Sequence, residues 1–194
     1  MWANSAKEVI MKIEWSAWAK VSSWLDQGKN AGPEIPDVFG VYMLRIADTI
    51  LYIGSTYSTN ASKKGPDNFT GLRKRIGLFI SCAMGFGAGH SAGRQFYDLF
   101  IKGDPARDYV DPAGRDLRPT VRDVEVRWSV VDCPPCAERE AYNQTTPQPL
   151  LNRETPKRCG REGCPFFVSL EEHEAQQYRI MRESAVVVPI LRRS

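Results

Sequence analysis

Two sets of side chains in this 194-residue chain are of types that can do chemistry, and in the first the spacing points the same way. The first is sulfur. Cys133-Pro-Pro-Cys136 and Cys159-Gly-Arg-Glu-Gly-Cys164 form a C-x2-C and a C-x4-C pair. Four thiolates at such spacing can hold a structural zinc ion, closing the C-terminal segment onto the helix expected after Pro134. The competing reading is two core cysteines and two exposed thiols. The second set is scattered and consists of Tyr42, Tyr52, Arg75, His90, Glu140 and Asn152. A free phenol has a pKa of about 10, so Tyr42 works as a general base only beside a cation or metal that favours phenolate. Tyr52 shares that task or orients a water. The plain alternative is two sheet tyrosines with satisfied hydroxyls. Arg75 carries a guanidinium fork able to hold two phosphate oxygens and stabilise a pentavalent transition state. Otherwise it is one more solvated helix residue. Glu140 offers a carboxylate with solvent positions left open, which suits Mg²⁺ (or Mn²⁺), an ion that keeps most of its waters. The alternative is an ordinary surface glutamate.

These groups need elements to position them. GVYMLRI (40–46) and ILYIG (50–54) are β-prone runs separated by Ala47, Asp48 and Thr49, which is hairpin spacing. With the turn centred on Asp48, Tyr42 pairs with Gly54 and Leu44 with Tyr52. Period-two geometry then puts Tyr42, Tyr52 and Gly54 on one face. A slip of one residue would separate the tyrosines. Val124, Val126, Trp128 and Val130 alternate with polar residues and read as a third strand. Helical spacing is expected over residues 5–26 (as one helix or two), 71–83 and 91–102. A further helix opens at Pro134 and runs to about residue 145, and a final one is capped at Ser169 by Ser-Leu-Glu-Glu. Residues 55–70 and 104–122 read as loops. The fold expected is α+β, with a small three-stranded antiparallel sheet flanked by helices.

Placed on these elements, the residues resemble the GIY-YIG nuclease family. Gly40-Val41-Tyr42 is similar to the first half of the family's name motif, and Tyr52-Ile53-Gly54 matches the second. Leu72-Arg73-Lys74-Arg75-Ile76 resembles the helix segment ending in the family's arginine, and His90-Ser91 a His-Ser pair found after it in some members. Glu140, twelve residues before Asn152 with Pro149 between them, is similar to the closing motif of a metal-binding glutamate followed by P-x-x-N. Glu138 is the competing choice, but it misses that spacing by two and lies about 200° around the helix. The resemblance covers residues 36–152. It implies a nuclease core there, an N-terminal helical extension over 1–35 and a C-terminal extension over 153–194.

What the resemblance further implies is DNA phosphodiester hydrolysis by a tyrosine-activated water, with Arg75 on the phosphate and Mg²⁺ on Glu140. It gives His90 a phosphate contact or a proton-shuttling role, and Asn152 a hydrogen bond within the site or, equally, a turn. Two departures stand out. Phe79 occupies the position, four after the arginine, where many members carry histidine, so His90 takes part of that role. The link from Gly54 to Arg75 is long, and its Lys63 and Lys64, with Lys74 and Arg158 elsewhere, are candidate DNA-backbone contacts. A catalytically weak or inactive nucleic-acid-binding module on the same fold is the alternative. Cutting both strands with one site per chain requires a homodimer or two successive nicks.

Composition narrows the rest. No run of about 18 apolar residues is present, so no membrane partner is expected. Lys7, Glu8, Lys12 and Glu14 interrupt the N-terminal stretch and argue against a secretory signal. Five cysteines, an odd number, argue against a full disulfide framework and for a reducing, cytoplasmic setting. The net charge of +3 conceals a net +5 over residues 63–103, which hold Arg75 and His90, and a net −3 over 104–140, which hold Glu140. That arrangement suits local grip on a polyanion beside a metal, not bulk attraction.

Overall fold

The computed structural model describes residues 11–27, 34–56, 71–102 and 118–156, together with Cys159 and Cys164. Lys63, Lys64, Arg158 and the final helix expected from Ser169 lie outside the described residues. In chain order the elements are β1 (Ala19–Lys20), α1 (Ser22–Gln27), β2 (Gly40–Ile46), β3 (Thr49–Thr56), α2 (Leu72–Ala83) and α3 (Ser91–Phe96). A π-helical turn (Tyr97–Ile101) extends α3, and a 3-10 turn (Val121–Asp123) precedes β4 (Glu125–Val130) and α4 (Pro134–Asn143). Chain contacts divide the protein into Met1–Cys159 and Gly160–Ser194.

The mixed α+β class expected from the sequence holds, but among the described residues the sheet has four antiparallel strands, not three. Their order is β1-β4-β2-β3. The added strand comes from the segment expected to be helical. Among the described residues of that segment, helix is confined to α1, while residues 11–18 have no regular structure and Ala19 pairs with Val126. The reason is visible in Met11-Lys12-Ile13-Glu14-Trp15, which alternates apolar and charged residues with period two and buries its apolar members in part. Trp15 and Trp18 each lie 4.6 Å from the Arg127 guanidinium, and Trp18 lies 4.1 Å from that of Arg45. Such stacking favours an extended path across β2 and β4 over helix formation. Ser16 reinforces it, donating its N–H to the Trp128 carbonyl at 2.8 Å and accepting the Trp128 N–H on Oγ at 3.0 Å.

The β2–β3 hairpin has the expected register where it matters. Tyr42 pairs with Gly54 and Leu44 with Tyr52. The turn itself is Ala47-Asp48, with Ala47 in the left-handed region at φ 49°. This shorter turn is reconciled with the register by a bulge between Leu44 and Arg45. Leu51 and Tyr52, adjacent in sequence, consequently both join the same core.

Two cores sandwich the sheet. Tyr42, Leu44, Val124 and Val126 pack with Leu72, Ile76, Phe79 and Phe96 of α2 and α3. On the opposite face Val41, Met43 and Ile53 meet Ala137 and Ala141, whose small side chains let α4 lie close to the strands. Pro134 and Pro135 open α4, where the missing amide N–H groups cost little. The outer edge of β3 is covered by residues just past α4. Leu151 N–H donates to the Leu51 carbonyl at 2.7 Å. The Asn152 side chain accepts from Ile53 N–H and donates to Ile53 C=O, both at 2.9 Å. One amide thus satisfies both backbone groups of an edge residue, as a neighbouring strand would.

Candidate functional site

The tyrosines come together as the strand pattern requires, with ring centroids 5.9 Å apart. Gly54 makes this contact. A Cβ there would lie 2.5 Å from Tyr52 Cε1 and 2.8 Å from Tyr42 Oη. His90 approaches from the N-cap of α3, and Tyr42 Oη is 2.7 Å from its Nε2. The imidazole is fully buried and packs edge-on against Phe79, with centroids 5.5 Å apart. Phe79 is therefore core, and His90 brings an imidazole to the tyrosines from the start of α3. The approach depends on Gly93, where a Cβ would lie 2.6 Å from the Phe79 carbonyl oxygen of α2.

The hydrogen bonds fix the direction of the network. Gly93 N–H donates to His90 Nδ1 at 3.3 Å, so the proton of the neutral ring sits on Nε2 and is donated to Tyr42. Burial, aided by the nearby Arg75 charge, lowers the His90 pKa to about 3 and keeps the ring neutral. Tyr42 must then donate its own proton elsewhere, and its hydrogen bond to Tyr52 favours the ionised form of the latter. The chain of donors runs His90, Tyr42, Tyr52.

Burial raises the Tyr42 pKa well above the usual phenol value, and Tyr52 adds to the rise. Tyr42 has no exposed surface. It cannot meet an attacking water directly, whereas Tyr52 is half-buried and borders a cleft of about 320 Å³. Burial raises the Tyr52 pKa too, with help from Glu138, while the charge and hydrogen bonding of Arg75 oppose the rise. Arg75 is half-buried, and its Nη1 donates to the Gly89 carbonyl at 3.3 Å. Its charge acts on Tyr42, Tyr52, His90 and Glu138 alike, which makes it the cationic centre of the cluster. Lys74, next to it, is exposed on the helix surface.

Glu138, not Glu140, stands with these groups. Its carboxylate accepts a hydrogen bond from Ser55 of β3 and lines the cleft with Tyr52, Gln95, Asn152 and Glu154. Burial raises its pKa, against the opposing effects of the Ser55 hydroxyl and Arg75. Glu140 accepts from Gln144 Nε2 at 2.6 Å on another side of α4 and is not part of the cleft. The twelve-residue spacing to Asn152 selects a glutamate that does not line the cleft, because α4 ends at Asn143 and a turn-rich stretch intervenes. Ala137 and Ala141 mark the inward face, but which flank meets the β3 edge depends on strand order. Asn152 borders the cleft while both ends of its amide hold the backbone of Ile53.

The sulfur set also converges. The four thiol sulfurs of Cys133, Cys136, Cys159 and Cys164 all lie within 4.8 Å of one another and could bind a metal such as zinc. None of the five cysteines is in a disulfide, and Cys82 is buried in α2. Among the described residues no helix is long and apolar enough to cross a membrane. Set against protein-family models, curated proteins and solved structures, the chain finds no match at a significant level.

Proposed function

We propose that this cleft hydrolyses phosphodiester bonds in DNA with the help of a divalent cation. The observation that carries the reading is that Tyr52 and Glu138 border one open cleft while the charge of Arg75 acts on both. The order of tyrosines, arginine, glutamate and asparagine along the chain, similar to that of GIY-YIG nucleases, adds support.

Tyr52 Oη receives a hydrogen bond from Tyr42, is tuned by Arg75, and takes the proton of a water placed in the cleft. Tyr42 and His90 orient it and do not themselves meet substrate. Arg75 holds the phosphate oxygens and balances the charge that grows on them. Glu138 fits a magnesium ligand, since it offers a carboxylate at the border of a cleft with room for the waters that Mg²⁺ retains. When bound, such an ion would neutralise charge on the scissile phosphate and its leaving oxygen. Both phenols are protonated at neutral pH, so cleavage should speed up as pH rises through the alkaline range. One cleft cuts one strand, and double-strand cleavage takes a homodimer or two nicks.

A second reading, a binding module without catalysis, draws on the raised phenol pKa values and on Phe79 standing where many similar nucleases have histidine. Incubation of supercoiled plasmid with Mg²⁺ separates the two. Wild type is expected to nick it, with EDTA abolishing the reaction and Tyr52→Phe slowing it about 100-fold or more. A gel shift with the plasmid left intact by wild type would replace the hydrolase with the binding module.

A further inference from the structure

The sulfur cluster and the cleft share a helix. Cys133 is the N-cap residue of α4 and Cys136 lies in its first turn, two residues before Glu138. Cys159 follows the cleft-lining stretch Leu151–Pro156 by three residues. Between these points Arg139 Nη1 donates to the Pro156 carbonyl at 3.3 Å. Two parts of the cleft lining, Glu138 of α4 and the stretch Leu151–Pro156, thus lie along the chain between one pair of cysteines and the other.

We propose that Cys133, Cys136, Cys159 and Cys164 hold a Zn²⁺ ion that clasps the first turn of α4 to the chain leaving the cleft, and so positions Glu138. A tetrahedral thiolate site with Zn–S of about 2.3 Å places its sulfurs about 3.8 Å apart. The observed cluster, within 4.8 Å throughout, needs at most a small contraction to reach that spacing. Cys133 and Cys159 are buried and Cys136 and Cys164 half-buried, which limits solvent access as a structural site requires. The N-terminal end of α4 stabilises the thiolates of Cys133 and Cys136. The CxxC pair opens a helix and the second pair closes the segment, so the ion holds together residues 23 or more positions apart. Glu138 is then held from two sides, by Ser55 of β3 and by the anchored helix end.

The zinc assignment stands apart from hydrolysis, while the positioning role rests on the hydrolytic reading of Glu138. The full chain, purified and titrated with zinc, should retain about one Zn²⁺ per chain, as should Cys82→Ala, whereas Cys159→Ser should not. Should Cys159→Ser fail to fold, cobalt exchanged into wild type gives the same information. Tetrahedral thiolate ligation shows an intense sulfur-to-cobalt charge-transfer band. Folded wild type that takes up no zinc, or cobalt with the weak spectrum of a hydrated ion, overturns the site. For the positioning role, removal of zinc should speed hydrogen exchange of amides in α4 and at Ile53. Exchange there that is unchanged by chelation leaves the metal but overturns the clasp, whatever the plasmid assay gives.

Discussion

Removing the titration of His90 should flatten the acid side of the stability profile. The imidazole has no exposed surface and a pKa of about 3, against an unfolded value near 6.5. Because the folded value is the lower one, the unfolded chain binds the proton first. The stability linked to this group is fully present above about pH 6.5 and is lost progressively as pH falls toward 3. Each pH unit below 6.5 removes about 1.4 kcal/mol, so moving from pH 7 to pH 5 removes about 2 kcal/mol through His90 alone. Other groups that titrate with pH are common to wild type and to His90→Gln. The glutamine keeps a donor toward Tyr42 and has no proton to gain. Urea unfolding at both pH values should therefore show a loss about 2 kcal/mol smaller in the variant than in wild type. A histidine proton signal that stays fixed between pH 8 and 4, and is missing from the variant, is the companion measurement. Parallel stability profiles for the two proteins would refute both the buried neutral ring and the direction assigned to the hydrogen-bond chain.

Two further outcomes concern the same cluster. Gly54→Ala places a methyl 2.5 Å from Tyr52 Cε1 and 2.8 Å from Tyr42 Oη, so it should cost about 1–3 kcal/mol in urea unfolding and weaken the Tyr42–His90 bond. An unchanged midpoint would show that the tyrosines have room the structure denies them. Glu138→Gln should raise Tm at pH 8 and lose that advantage at pH 4. The folded carboxyl pKa is raised, so its contribution is complete below the unfolded value and declines as pH rises through the folded one. A variant less stable than wild type at pH 8 would show that Glu138 is not held at an electrostatic cost.

Much of this arrangement is legible in the residues because local rules and tertiary packing agree. The pairing of Tyr42 with Gly54 follows from strand alternation and a short turn. The convergence of four cysteines follows from their spacing. The bulge beside Leu44 is less legible, since a turn one residue shorter with a bulge yields the same pairing at the tyrosines. The segment from Met11 to Trp18 satisfies helical and strand patterns at once. Its choice is made by the guanidiniums of Arg45 and Arg127, which are distant in sequence. Glu138 and Glu140 flank the same inward stripe of α4, and strand order alone decides that Glu138 meets the edge of β3. Asn152 illustrates the opposite case. Its sequence position suits either the site or a turn, and it borders the cleft by serving as a substitute strand for Ile53.

The central claim is that chemistry occurs where Tyr52, Arg75 and Glu138 meet. The most direct measurement is the initial rate of plasmid nicking with Mg²⁺ for wild type, Glu138→Gln and Glu140→Gln side by side. The account predicts that Glu140→Gln cuts at close to the wild-type rate while Glu138→Gln loses about 100-fold or more. Full activity in Glu138→Gln, or its loss in Glu140→Gln, would contradict it.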